Sequence, residues 1–208
     1  TNSFPLFRHT HCKQRSNSRF SNTTFAGNNR DIETEGSDRT NIMLPMGQDE
    51  LIKALAAVNP NIVTVVVTGA PADLRVVKEV SPSVVVSWFN GSEGGNALAD
   101  ILVGNIAPSG KLPFTFPLKL EDSPAYAMGN FPDKNSGGDL FTLMYRLDAT
   151  GYTREQIQEY IANLPDPVSE YKEGILVGYR WFDTRNVPVM YAFGHGLSYV
   201  DFEYGPLT

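Results

Sequence analysis

Cysteine is nearly absent from this 208-residue chain: Cys12 is the only one, which excludes an internal disulfide and a zinc cage built on thiolates. No apolar run approaches the ~20 residues needed to span a bilayer, so no membrane partner is expected. Basic residues are outnumbered, 17 Lys and Arg against 23 Asp and Glu, for a formal charge of -6. That balance argues against a nucleic-acid surface, which needs clustered cations to meet phosphates. The phosphate fingerprints are missing too, because Gly91 to Gly95 has neither GxGxxG spacing nor a Walker lysine. Gly196-Leu197-Ser198 does not form the GxSxG elbow of a serine hydrolase, and Ser109 sits in a turn-like Pro-Ser-Gly-Lys run. Three scattered histidines, His9, His11 and His195, do not suggest a metal centre, and no cofactor is expected. The N-terminus carries no charged-then-apolar leader pattern. Localisation therefore stays open, with a secreted or periplasmic setting compatible. Two Asn-X-Ser/Thr triplets, at Asn22 and Asn90, matter only in a eukaryotic secretory route.

What is present is a regular α/β pattern. Residues 1–22 are polar and aperiodic and are expected to be irregular. Thr23 to Ala26 reads as a strand end running into the turn Gly27-Asn28-Asn29, followed by a carboxylate-rich loop, Asp31 to Arg39. Leu51, Ile52 and Leu55 fall at helical spacing until Asn59-Pro60 stops them. Ile62 to Val67 is a β-branched run suited to a strand buried on both faces. A short helix over Leu74 to Val80, a strand over Ser83 to Trp88, and a helix with Ala97, Leu98, Ile101 and Leu102 on one face follow. Strand and helix alternating in this way predict right-handed βαβ crossovers and a parallel sheet. Lys111 to Phe116 is expected to add a third strand, Leu118 to Gly151 a long surface excursion, and Thr153 to Leu164 a helix capped by Thr153. Ile175 to Phe182 reads as a further strand and Pro188 to Tyr204 as an aromatic tail over the core.

Open parallel sheets gather their loops at the carboxyl ends of the strands. Three loops should meet there: Gly27 to Arg39, Gly69 to Asp73, and Phe89 to Gly95. The edge is thus lined with acids, and Glu33, Glu35 and Glu93 are the candidates for chemistry. Each also has an ordinary reading as a solvated carboxylate, a helix cap, or a partner of a cation such as Arg39. His195, between two glycines among aromatics, reads as a packed histidine.

Several segments in this order resemble the C-terminal domain of glycoside hydrolase family 3. They are Glu33-Thr-Glu-Gly-Ser-Asp-Arg39, Leu44-Pro45, Gln48 to Ile52, Trp88 to Asp100, and Pro108-Ser-Gly-Lys-Leu-Pro113. Tyr171 to Gly174, Gly178-Tyr-Arg180 and Phe193-Gly-His-Gly-Leu-Ser-Tyr199 complete the series. The resemblance implies an α/β three-layer sandwich with a mostly parallel sheet, spanning 23–204 and truncated at its N-terminal side, with 118–170 an excursion and 205–208 a tail.

The resemblance also implies a retaining, exo-acting β-glucosidase that removes terminal non-reducing β-D-glucosyl residues from a glucoside or oligosaccharide. In such enzymes a (β/α)8 barrel provides an Asp nucleophile and the sandwich domain provides the acid/base. The family's Glu-Gly pair ahead of Asp-Arg falls on Glu35-Gly36 and Asp38-Arg39, making Glu35 the candidate acid/base and Glu33 the lesser alternative. Retention needs the two carboxyls about 5–5.5 Å apart, one attacking and one shuttling a proton. The barrel does not occur in this chain, so the chain alone is expected to be inactive. A β-xylosidase of the same family and a non-catalytic binding or assembly module remain alternatives, with oligomers expected if sheet edges are left exposed.

Overall fold

The computed structural model describes residues 22–35, 38–131, 151–163, 170–201 and 203–206. Its centre is the β-branched run, which forms strand β2 (Ile62–Val67) between β1 (Asn22–Gly27) and β3 (Ser83–Val86), all parallel in the order β1-β2-β3. Val66 points into the main core with Ile52, Val77 and Leu74, while Val65, on the opposite face by alternation, is equally inaccessible. The continuous apolar run is therefore buried on both faces, and each such side chain stabilises by about 1.5–3 kcal/mol.

Helix α1 (Gln48–Val58) links β1 to β2, and α2 (Arg75–Val80) links β2 to β3. Only Ile52 of α1 is fully sequestered, and α1 and α2 pack against each other. Helix α3 (Gly94–Val103) follows β3 and ends on Gly104 in the left-handed conformation. The described part of the excursion holds a 3-10 turn, Leu120–Asp122, and the short helix α4 (Pro124–Ala127). Helix α5 (Arg154–Ala162) starts with a capping box between Thr153 and Gln156, as its sequence predicts. The irregular start at residues 1–21, including Cys12, His9 and His11, lies outside the described residues.

Four expectations need correction. Lys111 to Phe116 is not a third parallel strand: only Phe116–Pro117 (β4) pairs, antiparallel to β5 (Val189–Tyr191). Leu112 instead exchanges backbone hydrogen bonds with the 194–195 turn, at 2.8 and 2.9 Å. Ile175 to Phe182 is not a strand but a turn leading into helix α6 (Tyr179–Arg185). Gly178, at φ 60, ψ -132, breaks the extended run and lets Trp181 and Phe182 be buried side by side. The tail packs only in part: Met190 is buried, yet Leu197, Tyr199 and Tyr204 are exposed. Strand β3 also stops two residues early, because Trp88 turns to φ +57.

Two contacts fix the carboxyl end of β1. Gly27 stands at φ +141, and a Cβ there would lie 1.8 Å from the carbonyl oxygen of Val67, so only glycine fits. The Gln48 side-chain amide holds the same residue from the other side. Its Oε1 accepts from Gly27 N (2.7 Å) and its Nε2 donates to Gly27 O (2.9 Å).

Candidate functional site

The three loops do converge at the carboxyl ends of the strands, and a single carboxylate gathers them. Just after β1 the chain makes a tight turn on Asn29, whose carbonyl accepts from both Ile32 N and Glu33 N while its side chain accepts from Asp31 N. This turn sends the Glu33 side chain inward. Glu33 Oε1 accepts from Asn28 Nδ2 (2.7 Å), Thr68 Oγ1 (2.9 Å) and Arg39 Nη1 (3.0 Å). Its Oε2 accepts from Gly69 N at 2.7 Å. Glu33 thereby ties the end of β1, the end of β2 and the returning arm of its own loop.

Arg39 completes the knot by donating to Pro71 O at 3.2 Å. Burial lowers the Arg39 guanidinium from its ordinary value despite the charge of Glu33, with which it forms a well-shielded ion pair. The third loop joins at Gly69, where a Cβ would meet the Phe89 ring at 2.7 Å and Glu33 Oε2 at 3.1 Å. Phe89 is aimed there by the bend at Trp88, whose ring packs edge-on against Phe114 (5.3 Å) and Phe116 (6.2 Å).

Glu35 has a different setting. It lies between the two arms tied by Glu33 and Arg39, is exposed, and has no hydrogen bond or ion pair among the described residues. Glu93 precedes α3, is exposed, and accepts from the Asn96 side chain at 2.6 Å, with no side-chain bond to the backbone amides of the helix. His195 stacks on Tyr191 at 4.9 Å, and burial, then the charges of Lys78 and Lys111, hold its imidazole below the ordinary value. It lies in the aromatic turn beside Leu112, stacked on one ring yet exposed, so it is not the packed histidine expected from its sequence setting. Among the described residues no cluster of His, Cys, Asp and Glu could hold a metal ion, and no helix is long and apolar enough to cross a membrane.

A cavity of about 260 Å³ opens beside the end of β1, lined by Phe25, Asn29, Met46 and Gln48 among others. It falls below the roughly 300 Å³ at which small-ligand pockets begin. Residues that sequence reasoning did not single out carry much of this geometry. Asn28 reads as a turn residue and Thr68 as the tail of an apolar strand, and only the fold brings both onto Glu33. The one available signal is that Thr64 and Thr68 interrupt the buried face of an otherwise apolar strand, and a polar residue there needs a partner.

Residues 22–199 match the family model described as the glycosyl hydrolase family 3 C-terminal domain. The chain belongs to this family. Among family 3 relatives, the β-glucosidase BoGH3A of Bacteroides ovatus is 44% identical over 172 residues, covering 83% of this chain and 19% of the relative. Thermostable β-glucosidase B of Acetivibrio thermocellus is 38% identical over 184 residues, covering 88% and 20%. The crystal structure of the family 3 β-glucosidase of Bifidobacterium adolescentis superposes with a TM-score of 0.65 at 34% identity, covering 85% of this chain and 21% of that one. The Kluyveromyces marxianus β-glucosidase in complex with glucose gives 0.63 at 33% identity, covering 87% and 18%. The chain thus spans about a fifth of the length of the family 3 proteins it matches.

Proposed function

We propose that this chain supplies the acid/base half of a retaining, exo-acting β-glucosidase active site, with Glu35 as the proton shuttle. The observation that carries the reading is the contrast between two neighbouring glutamates. Glu33 spends its carboxylate on four donors, whereas Glu35 is exposed at the rim of the strand-end loops, free to meet a sugar bound to another domain. On this reading the Asp nucleophile and the glucose pocket come from a (β/α)8 barrel. As the nucleophile attacks the anomeric carbon, Glu35 gives its proton to the departing glycosidic oxygen. The same carboxylate then takes a proton from the water that breaks the glycosyl-enzyme bond. Glucose is favoured over xylose because the relatives named above are β-glucosidases.

The test uses aryl β-glucosides. The chain alone is expected to show no turnover above buffer. Inserted in place of the matching segment of the Bacteroides ovatus relative, it is expected to support hydrolysis. Glu35→Gln should then lower kcat/KM for phenyl β-glucoside by about 10²–10⁴-fold. Efficient turnover by the chain alone, or an unaffected Glu35→Gln, would refute the assignment.

A further inference from the structure

We infer that Glu33 is a positioning residue for catalysis, holding the loop that presents Glu35 through a four-donor clamp across two strand ends. The inference rests on Glu35 being the proton donor. The Glu33 carboxylate is committed to the fold: one oxygen takes three donors and the other takes the Gly69 amide. The four donors come from three pieces of the edge. Asn28 closes β1, Thr68 and Gly69 extend β2, and Arg39 is the far arm of the Glu35 loop. Between Glu33 and Arg39 lie five residues, so their ion pair closes a small ring of chain with Glu35 on its rim.

The ring is also bolted to the sheet. Arg39 reaches Pro71 O, and the one Thr68 hydroxyl proton is shared between Glu33 Oε1 (2.9 Å) and Ala70 O (2.7 Å), so both arms of the ring rest on the loop after β2. Phe89 presses on Gly69 from the third loop, which leaves the Gly69 amide little room to leave Glu33. Two atoms beside the knot, Asn28 Oδ1 and Arg39 Nη2, are buried and unpartnered among the described residues. Asn28 and Arg39 act through their other atoms, Nδ2 on Glu33 and Thr68 and Nη1 on Glu33 and Pro71 O. Removing the Glu33 carboxylate would strand these donors and release the ring, and a displacement of about 1 Å at a catalytic group lowers rates by about 10²-fold.

The discriminating readout is the leaving group. A misplaced proton donor slows departure of a poor leaving group such as phenol but hardly that of 2,4-dinitrophenol, which needs no protonation. In the hybrid enzyme, Glu33→Gln should lower kcat/KM for phenyl β-glucoside about 10²-fold and that for the dinitrophenyl glucoside less than about fivefold, with Glu33→Asp intermediate. Equal losses on both substrates, or none, would overturn the inference. Glu35→Gln separates the two hypotheses. If it shows the leaving-group dependence and Glu33→Gln does not, only the positioning role falls; if Glu35→Gln shows none, the proton-donor reading itself falls. The 208-residue chain gives a second measurement. Glu33→Ala should speed hydrogen exchange of the Gly69 amide at least tenfold while the Val65 amide, in the strand core, keeps its rate. Unchanged exchange at Gly69 would refute the clamp.

Discussion

Thr68 and Thr64 lie on the same side of the central strand run, both fully buried, and the same substitution to valine should affect them unequally. Thr68 Oγ1 shares its one proton between Glu33 Oε1 at 2.9 Å and Ala70 O at 2.7 Å, and accepts from Asn28 Nδ2 at 3.1 Å, which amounts to one charged and one neutral bond. Thr64 Oγ1 has one side-chain partner, Ser81 Oγ at 2.6 Å. A hydrogen bond to a charged group contributes about 1.5–3 kcal/mol and a neutral one about 0.5–1.5. Thr68→Val therefore loses one of each, offset by about 0.8 kcal/mol for the buried methyl, a net destabilisation of about 1.5–3.5 kcal/mol. Thr64→Val loses one neutral bond and gains the same methyl, for a net of about 0–1.5 kcal/mol including the stranded serine. Urea unfolding followed by circular dichroism reads the difference. With a slope of about 2 kcal/mol per molar, the Thr68→Val midpoint should fall by about 1 M and that of Thr64→Val by less than half as much. Equal or reversed shifts would show that the Glu33 knot adds nothing to the stability of the strand end.

Two further outcomes follow from the same edge. Gly27→Ala must both hold alanine at φ +141 and push its methyl into the Val67 carbonyl, so the last β1–β2 rungs should open. The expected loss is about 3 kcal/mol or more, read in the same urea titration, and a near-neutral variant would contradict the backbone geometry. Asp49, in the first turn of α1, has its carboxyl raised above the ordinary 3.8, first by burial and then by the charges of Asp73 and Glu50, against the opposing pull of Lys53 and Arg75. The folded state thus holds that proton more tightly than the unfolded chain. The stabilisation is complete below pH 3.8 and disappears as pH rises through the raised folded value. Asp49→Asn should consequently be more stable than the parent at pH 7, the advantage shrinking toward pH 4; a variant less stable at pH 7 would reverse the sign of this argument.

The parallel unit was legible because its signals are local. A β-branched run and an Asn-Pro stop act within a few residues, and the strands and helices from Asn22 to Val103 follow them closely. The loops were legible as a cluster, since a parallel sheet brings strand ends together whatever their composition. What escaped was anything decided across the fold. Nothing near Glu33 in sequence announces Thr68 or Gly69, 35 and 36 residues away, so the two glutamates of Glu-Thr-Glu look alike until the chain is folded. Ile175 to Phe182 misled for the converse reason: its apolar content suits a strand, but one glycine at positive φ redirects it into a helix.

The Gln48 amide has a consequence for how this sheet can grow. In β1 the even-numbered residues bond toward β2, as Asn22 N and Asn28 N do, so the backbone groups of Thr23, Phe25 and Gly27 face the free margin. At Gly27 a side-chain amide already offers one donor and one acceptor at peptide-like distances, so it acts as the final rung of a ladder that has no further strand among the described residues. An added strand can use Thr23 and Phe25 but must end there. The margin thus accepts only a short guest, halted before it reaches the acid-bearing loop, and Gln48 keeps that loop clear of anything that adds to the sheet.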